Sequence, residues 1–456
     1  MAPWLRRSLV LLSLLVAAAL AWLWVVPPQL VRVAAGYTAK IVCSSVFISG
    51  RDAHQVLQDD VQAPGHPLLR LMRVSVDREQ RTVRAGLFAF AGRGLAVARD
   101  GTGCAVVADG DLARARTHAA PQRPPGPPLP GRWPEGDEVG EAGPTLAALL
   151  ADPKMAGPGM RALLVLHRGR IVAERYGDGF DAATPLLGWS MTKTVTAALV
   201  GTLVRDGRVA VERETLFPAW AGDDRRRIAM THLLAMSSGL SFNEDYGSVT
   251  DVTRMLYLEP DMAAFARKQP LAHPPGTHFN YSSGSSVLLA RLWQDAAGAS
   301  SLAWPRQALF DPLGMRSAVM EADARGTFVG SSYLYATGRD WARFALLLLQ
   351  DGRWKGQALL PPEWMARMRT PSQAAPKDYT DAQMWLHGPQ AGTPEGQNPD
   401  AGFLLPPDTL WMNGHDGQSI ALVPSRQLAV VRLGLTPARL QHRPQRLVEA
   451  LLRALP

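Results

Sequence analysis

In 456 residues the chain has only two cysteines, Cys43 and Cys104. Neither belongs to a C-x-x-C pair, which excludes zinc knuckles and thioredoxin-type redox motifs. The chain also lacks H-E-x-x-H, G-x-x-x-x-G-K-[ST] and G-x-G-x-x-G, the commonest zincin and nucleotide signatures. No spaced His/Asp/Glu cluster calls for a metal, so no metal and no other cofactor are expected. Lysine is scarce, with only Lys40, Lys154, Lys193, Lys268, Lys355 and Lys377, so the net charge of +8 is carried by arginine. Those arginines are scattered, without a run of five basic residues or aromatic interleaving, and no nucleic-acid partner is expected. Hydrophobic residues make up 47% and charged residues 19%, which excludes a mainly disordered chain.

What is present begins with a membrane signal. Leu9 to Val26 is an uncharged stretch preceded by Arg6 and Arg7 and ended by Pro27-Pro28. At ~1.5 Å per residue its length approaches the ~30 Å hydrocarbon core of a bilayer. Trp4, Trp22 and Trp24 fall near its ends, where interfacial aromatics are favoured. The basic flank stays in the cytoplasm by charge bias, so the expectation is a single-pass anchor in the inner (cytoplasmic) membrane with the body on the periplasmic, extracytoplasmic side. A cleaved signal peptide, with Ala19-Leu20-Ala21 as the small-x-small site, is the alternative. Both export the body. In an oxidising compartment an even cysteine count suggests a Cys43–Cys104 disulfide, against the alternative of two buried thiols.

Composition divides the rest. Residues 1–28 form the anchor or signal, and 29–117 a small accessory region with strand-like runs over Arg81 to Gly92 and Gly103 to Ala108. Residues 118–144 hold eight prolines and form a linker or extended strap. A main domain spans 145–456. It opens with two apolar runs around the Gly turn Arg168-Gly-Arg170, a hairpin by its turn chemistry, followed by an amphipathic helix from Ser190 to about Arg205. Residues 230–350 read as mostly helical, and the end returns to strands (Ile420–Val423, Leu428–Leu433) and a final helix. The fold class is α+β, with both ends of the domain adjoining one antiparallel sheet.

The chemistry concentrates in that domain. Gly188-Trp189-Ser190-Met191-Thr192 approaches the G-x-S-x-G elbow but lacks its second glycine. The chain's one S-x-x-K, Ser190 to Lys193, opens a helix, where residues three apart share a face and a lysine amine reaches a serine hydroxyl. Burial and the helix's positive end both disfavour an ammonium, leaving Lys193 able to accept a proton. By itself the pair is also what a capping serine and a solvated lysine look like. Tyr281, in Tyr281-Ser282-Ser283, is a candidate second proton-transfer group, against the plainer reading of a buried tyrosine. Asn413-Gly-His415-Asp416-Gly417-Gln418 leads into an apolar strand whose N–H groups could complete an oxyanion hole.

The ordered set Ser190-x-x-Lys193, Tyr281-x-Ser283 and His415-x-Gly417 resembles the serine β-lactamase and penicillin-binding superfamily. The likeness is greatest to its class C-like branch of esterases, D-amino-acid peptidases and aminohexanoate-dimer hydrolases, and it covers about residues 145–456. The resemblance implies a β-lactamase/transpeptidase-like fold, an antiparallel sheet flanked by helices with an all-helical insert. It implies an acyl-enzyme on Ser190, with Lys193 as proton acceptor and Tyr281 as relay to the leaving atom. It also implies oxyanion N–H groups from Ser190 and Gln418, a contact from Ser283 to Lys193 or substrate, and substrate contacts around His415 and Gly417. Tyr246, in Asn243-Glu-Asp-Tyr-Gly-Ser, matches the substrate-covering loop tyrosine of the aminohexanoate-dimer hydrolases.

One departure bears on substrate. β-Lactamases carry Lys-Thr-Gly in the third motif, and this chain has His415-Asp416-Gly417, whose carboxylate repels the carboxylate of a β-lactam. The leading expectation is an exported, membrane-anchored serine hydrolase of a small-molecule ester or amide. A D-amino-acid peptidase or weak β-lactamase on wall-type substrates is the second reading, and a non-catalytic envelope binding protein the third.

Overall fold

The computed structural model describes residues 3–121, 126–394 and 396–455. The apolar N-terminal run forms helix α1 (Pro3–Val25), and Pro27-Pro28, which lack N–H donors, end it. Leu11, Leu12, Leu14 and Leu15 on α1 are all more than half exposed, so this helix adds little to the core. At its end the Arg93 guanidinium lies 4.5 Å from the Trp24 ring centroid.

Helix α2 (Gln29–Phe47) follows. By length and composition it too could cross a bilayer, but it is mostly buried within the protein. It lies across a four-stranded antiparallel sheet, β1 (Met72–Asp77), β2 (Thr82–Leu87), β3 (Ala91–Arg99) and β4 (Gly103–Val106), paired in chain order. The contact is close because it is built from small residues. A Cβ on Gly94 would sit 2.1 Å from the Ala35 carbonyl oxygen, so only glycine lets β3 approach α2 here. A disulfide joins Cys43 on α2 to Cys104 on β4, with Cα atoms 6.1 Å apart. In the chain-entropy account a loop of this length contributes about 4 kcal/mol.

The sequence of 29–117 reads as an accessory piece, yet α2 and this sheet share one apolar core with the rest of the protein. The seam carries a buried ion pair. Lys40 Nζ meets Glu321 Oε2, whose carboxylate also accepts from Ser44 Oγ (2.9 Å) and the Cys104 N–H (2.6 Å). Beside it the buried Arg99 donates to the carbonyls of Ala322 (2.6 Å) and Asp323 (2.9 Å).

The described part of the proline-rich segment runs without helix; Pro124 and Pro125 lie outside the described residues. It is pinned rather than loose. Trp133 is buried, and Arg343 donates to the Gly136 carbonyl and to Asp137, both at 2.8 Å.

Beyond it come helix α3 (Pro144–Ala151) and the hairpin β5 (Met160–His167) and β6 (Arg170–Tyr176). Arg168 and Gly169 both take positive φ, as a two-residue hairpin turn requires. Helices α4 (Met191–Arg205), α5 (Asp251–Leu258), α6 (Ser283–Ala297) and α7 (Gly338–Leu349) make up most of the insert. The chain then returns through β7 (Leu410–Gly414), β8 (Gln418–Val423) and β9 (Leu428–Gly434) to helix α8 (Gln445–Ala454). The five-stranded antiparallel sheet has the order β7–β8–β9–β5–β6, so the first and last strands of the domain pair with each other. Alternation sorts its two faces. Leu163, Val165, Val423 and Val430 pack with Leu447 and Leu451 of α8, while Leu164, Leu166, Ile420 and Val431 face the main core. This is the β-lactamase/transpeptidase-like arrangement of an antiparallel sheet flanked by helices.

Candidate active site

The chain reaches Ser190 through a strained turn. Leu186 and Leu187 pair with Ala336 and Tyr335, and the Gly188 N–H donates to the Leu334 carbonyl at 2.9 Å. Trp189 then takes φ 47°, a left-handed conformation that costs a bulky residue about 1–3 kcal/mol. Packing enforces it: the Trp189 ring lies 5.3 Å from His415, 5.8 Å from Tyr333 and 6.4 Å from Tyr246, centroid to centroid. The turn delivers Ser190 to the head of α4, the buried central helix.

One turn along, Lys193 is 1% exposed. Its Nζ lies 3.1 Å from Ser190 Oγ, 3.2 Å from Ser283 Oγ and 3.1 Å from the Ser331 carbonyl oxygen. Burial lowers its pKa to about 8, against an opposing pull from Glu244. A neutral amine fits these contacts, with two N–H groups for Ser283 and Ser331 and a lone pair for the Ser190 hydroxyl. Ser283, at the start of α6, is oriented in turn. Its hydroxyl donates to Glu244 Oε1 at 2.5 Å and its N–H to Glu244 Oε2 at 2.7 Å, leaving its lone pairs toward Lys193. Burial raises the Glu244 carboxyl, while Lys193 and the two Ser283 donors draw it back.

Tyr281 lies over Lys193, with Nζ 4.7 Å from its ring centroid. Tyr379 and Trp385 hold the ring, at centroid distances of 5.9 and 5.0 Å. Burial and the Glu244 charge push its phenol well above the usual range, opposed by the Ser190 side chain. A tyrosine so placed keeps its proton and can donate it, while the amine within hydrogen-bond reach of Ser190 is Lys193.

Ser190, Tyr246, Tyr281, His415 and Gly417 all line one cleft of about 580 Å³, with Lys193 and Ser283 beneath its floor. His415 to Gly417 form the turn of the β7–β8 hairpin, with Asp416 at φ 55°. That turn packs against the segment leading to Ser190, and a Cβ on Gly414 would fall 2.4 Å from the Gly188 carbonyl oxygen. Tyr246 stacks on His415 at 4.9 Å. Gln418 is not a cleft-lining residue. Its side chain turns into the sheet, donating to the Gly434 carbonyl (2.5 Å) and accepting from the Gly434 N–H (2.8 Å), so only its backbone is left for the cleft.

Glu244 is the site residue that the sequence reading passed over. It lies two positions before Tyr246 in the same acidic loop, and that pairing was its available signal. No lysine or arginine among the described residues lines the cleft, whereas Glu244, Asp378 and Asp416 do. Among the described residues no group of His, Cys, Asp and Glu is placed to hold a metal ion.

Residues 146–452 match the family model described as Beta-lactamase. The chain is 22% identical over 304 residues to a 6-aminohexanoate-dimer hydrolase from Paenarthrobacter ureafaciens, covering 60% of this chain and 72% of that one. Among solved structures, a protein proposed to be a 6-aminohexanoate-dimer hydrolase from Bacillus anthracis superposes with a TM-score of 0.56 at 21% identity, over 74% of this chain and 88% of the other. A penicillin-binding protein homologue from Caulobacter crescentus gives 0.53 at 17% identity, over 70% and 99%.

Proposed function

We propose, from the premise that this chain belongs to the beta-lactamase family of serine hydrolases, that it cleaves an ester or small amide through an acyl-enzyme on Ser190. The observation that carries this reading is the Lys193 amine, buried and 3.1 Å from the Ser190 hydroxyl. In this mechanism Ser190 Oγ attacks the substrate carbonyl as its proton passes to Lys193 Nζ. The N–H groups of Ser190 and Gln418 hold the oxyanion. Tyr281 passes a proton to the departing oxygen or nitrogen, and a water molecule then releases the acyl group by the reverse relay. Glu244 acts through Ser283 to aim Lys193.

The substrate is a neutral or amine-bearing compound rather than a β-lactam or another anion. The carboxylates of the cleft, with no lysine or arginine among the described residues that line it, support this, and so does a relative named for an aminohexanoate dimer. The exposed apolar surface of α1 and the disulfide support export and anchoring in the inner membrane, with the cleft on the periplasmic side.

The pH profile tests the proton assignment. With Lys193 as base, kcat/KM rises with pH and levels off above about 8, where the amine has lost its proton. The Glu244 carboxylate holds that pKa up, so Glu244→Gln moves the rising limb to lower pH. A lower rate with an unmoved limb would assign Glu244 a purely structural role.

A further inference from the structure

A second cavity, of about 510 Å³, lies behind the catalytic cleft. Glu244, Tyr246, His415 and Asp416 line both spaces, so the stacked Tyr246–His415 pair stands as a partition between them. The far wall comes from the N-terminal region: Leu30, Val33 and Ala34 of α2, with Leu68 and Leu69 from the stretch before β1. Tyr257 of α5 and Trp189, beside the nucleophile, complete the apolar surface. Two features of this chamber point to its use. It adjoins the space that holds Ser190. Its wall begins in the first turn of α2, directly after the proline break that ends the exposed apolar α1.

We propose that the chamber holds the hydrocarbon chain of an acyl ester or acyl amide whose carbonyl reaches Ser190 past Tyr246 and His415. The inference rests on the hydrolase reading above and narrows it: the substrate is an amphiphile, and the N-terminal region supplies its chain site. Glu244 and Asp416 stand at the partition, where the polar end of the substrate lies; the exposed Asp245 also lines the chamber, and the apolar wall lies beyond. A chain in this chamber leaves water, and each methylene buried is worth about 0.8 kcal/mol, or about fourfold in kcal-to-rate conversion when the gain is expressed in kcat/KM.

The test uses the full chain in phosphatidylcholine vesicles with p-nitrophenyl acetate, butyrate and octanoate. The octanoate-to-butyrate ratio of kcat/KM is expected to be at least about tenfold, since four added methylenes at the full transfer value would exceed that. Leu68→Trp and Leu30→Trp, each filling the chamber from a half-buried edge, bring the ratio to near one. The ratio normalises itself, so a partly inactive preparation does not obscure it, and two positions guard against one misfolded variant. A wild-type ratio near one, or a ratio that neither substitution changes, overturns the chain site. If Ser190→Ala abolishes turnover of all three esters in that case, the hydrolase reading stands and only the chamber assignment falls. If turnover survives in Ser190→Ala, both fall. With the ratio confirmed, cleavage of a monoacylglycerol embedded in the vesicles assigns the chain to a bilayer source, and cleavage of dissolved esters only assigns it to a free amphiphile.

Discussion

Ser190→Ala and Lys193→Ala are each expected to lower kcat/KM for an activated ester at least about 10³-fold, or about 4 kcal/mol of transition-state stabilisation. In the proposed mechanism Ser190 and Lys193 act as a unit, so the double variant is expected to lose little more than either single one. Lys193→Arg separates the base from the charge. A guanidinium keeps the cation but does not deprotonate in a protein, and Lys193→Arg is expected to fall as far as Lys193→Ala. Circular dichroism and urea unfolding establish that each variant is folded. Recovery of more than about a tenth of wild-type turnover by Lys193→Arg would mean that the lysine serves as a counter-ion, with the base elsewhere.

The second large effect lies far from the cleft in sequence. Glu321→Ala is expected to destabilise the protein by about 3–5 kcal/mol in urea unfolding, because it leaves Lys40 buried without its partner. Burial already lowers the Lys40 pKa, with the Glu321 charge opposing. Replacing both partners, Lys40→Met with Glu321→Leu, removes the uncompensated charge and costs less than the single change, although the Cys104 N–H then loses its acceptor. The pair also braces the site. Glu321 pairs through its backbone with Val329 and Tyr333, and between these lies Ser331, whose carbonyl receives Lys193. A double variant less stable than Glu321→Ala would show that the seam depends on the ion pair itself.

The catalytic domain was largely legible in the sequence because its signals are local. The Arg168-Gly169 turn, the continuous apolar run Ile420–Val423 and the amphipathic C-terminal helix each declare their element within a few residues. Ser190 and Lys193 lie on one helix, three residues apart, where spacing alone brings them together. Groups with distant partners were opaque. Lys40 reads as a solvated lysine until Glu321, 281 residues away, is packed against it. For the same reason α2 gave no sign of being a core helix, since its apolar and small residues acquire meaning only against β3 and α5. Glu244 depends on Ser283, 39 residues on and in another element. The backbone position of Gln418 followed from its motif, but the turn of its side chain into the sheet followed from Gly434 on the neighbouring strand.

The seam has a consequence for how the protein is divided. Residues 29–117 contribute α2 and a sheet to the common core, a disulfide within themselves, a buried charge pair to the loop beneath Lys193, and a wall to the second chamber. A fragment beginning at the catalytic domain would expose that surface and leave Glu321 without its cation.

The most direct test of the central claim is the intact mass of the folded full chain after brief exposure to a fluorophosphonate, and in parallel to an activated ester and a penicillin. The account predicts one phosphonyl adduct per chain, mapped to Ser190 and absent from Ser190→Ala, together with ester turnover and no lasting penicillin adduct. An unmodified mass after all three reagents, or an adduct that persists in Ser190→Ala, would contradict it.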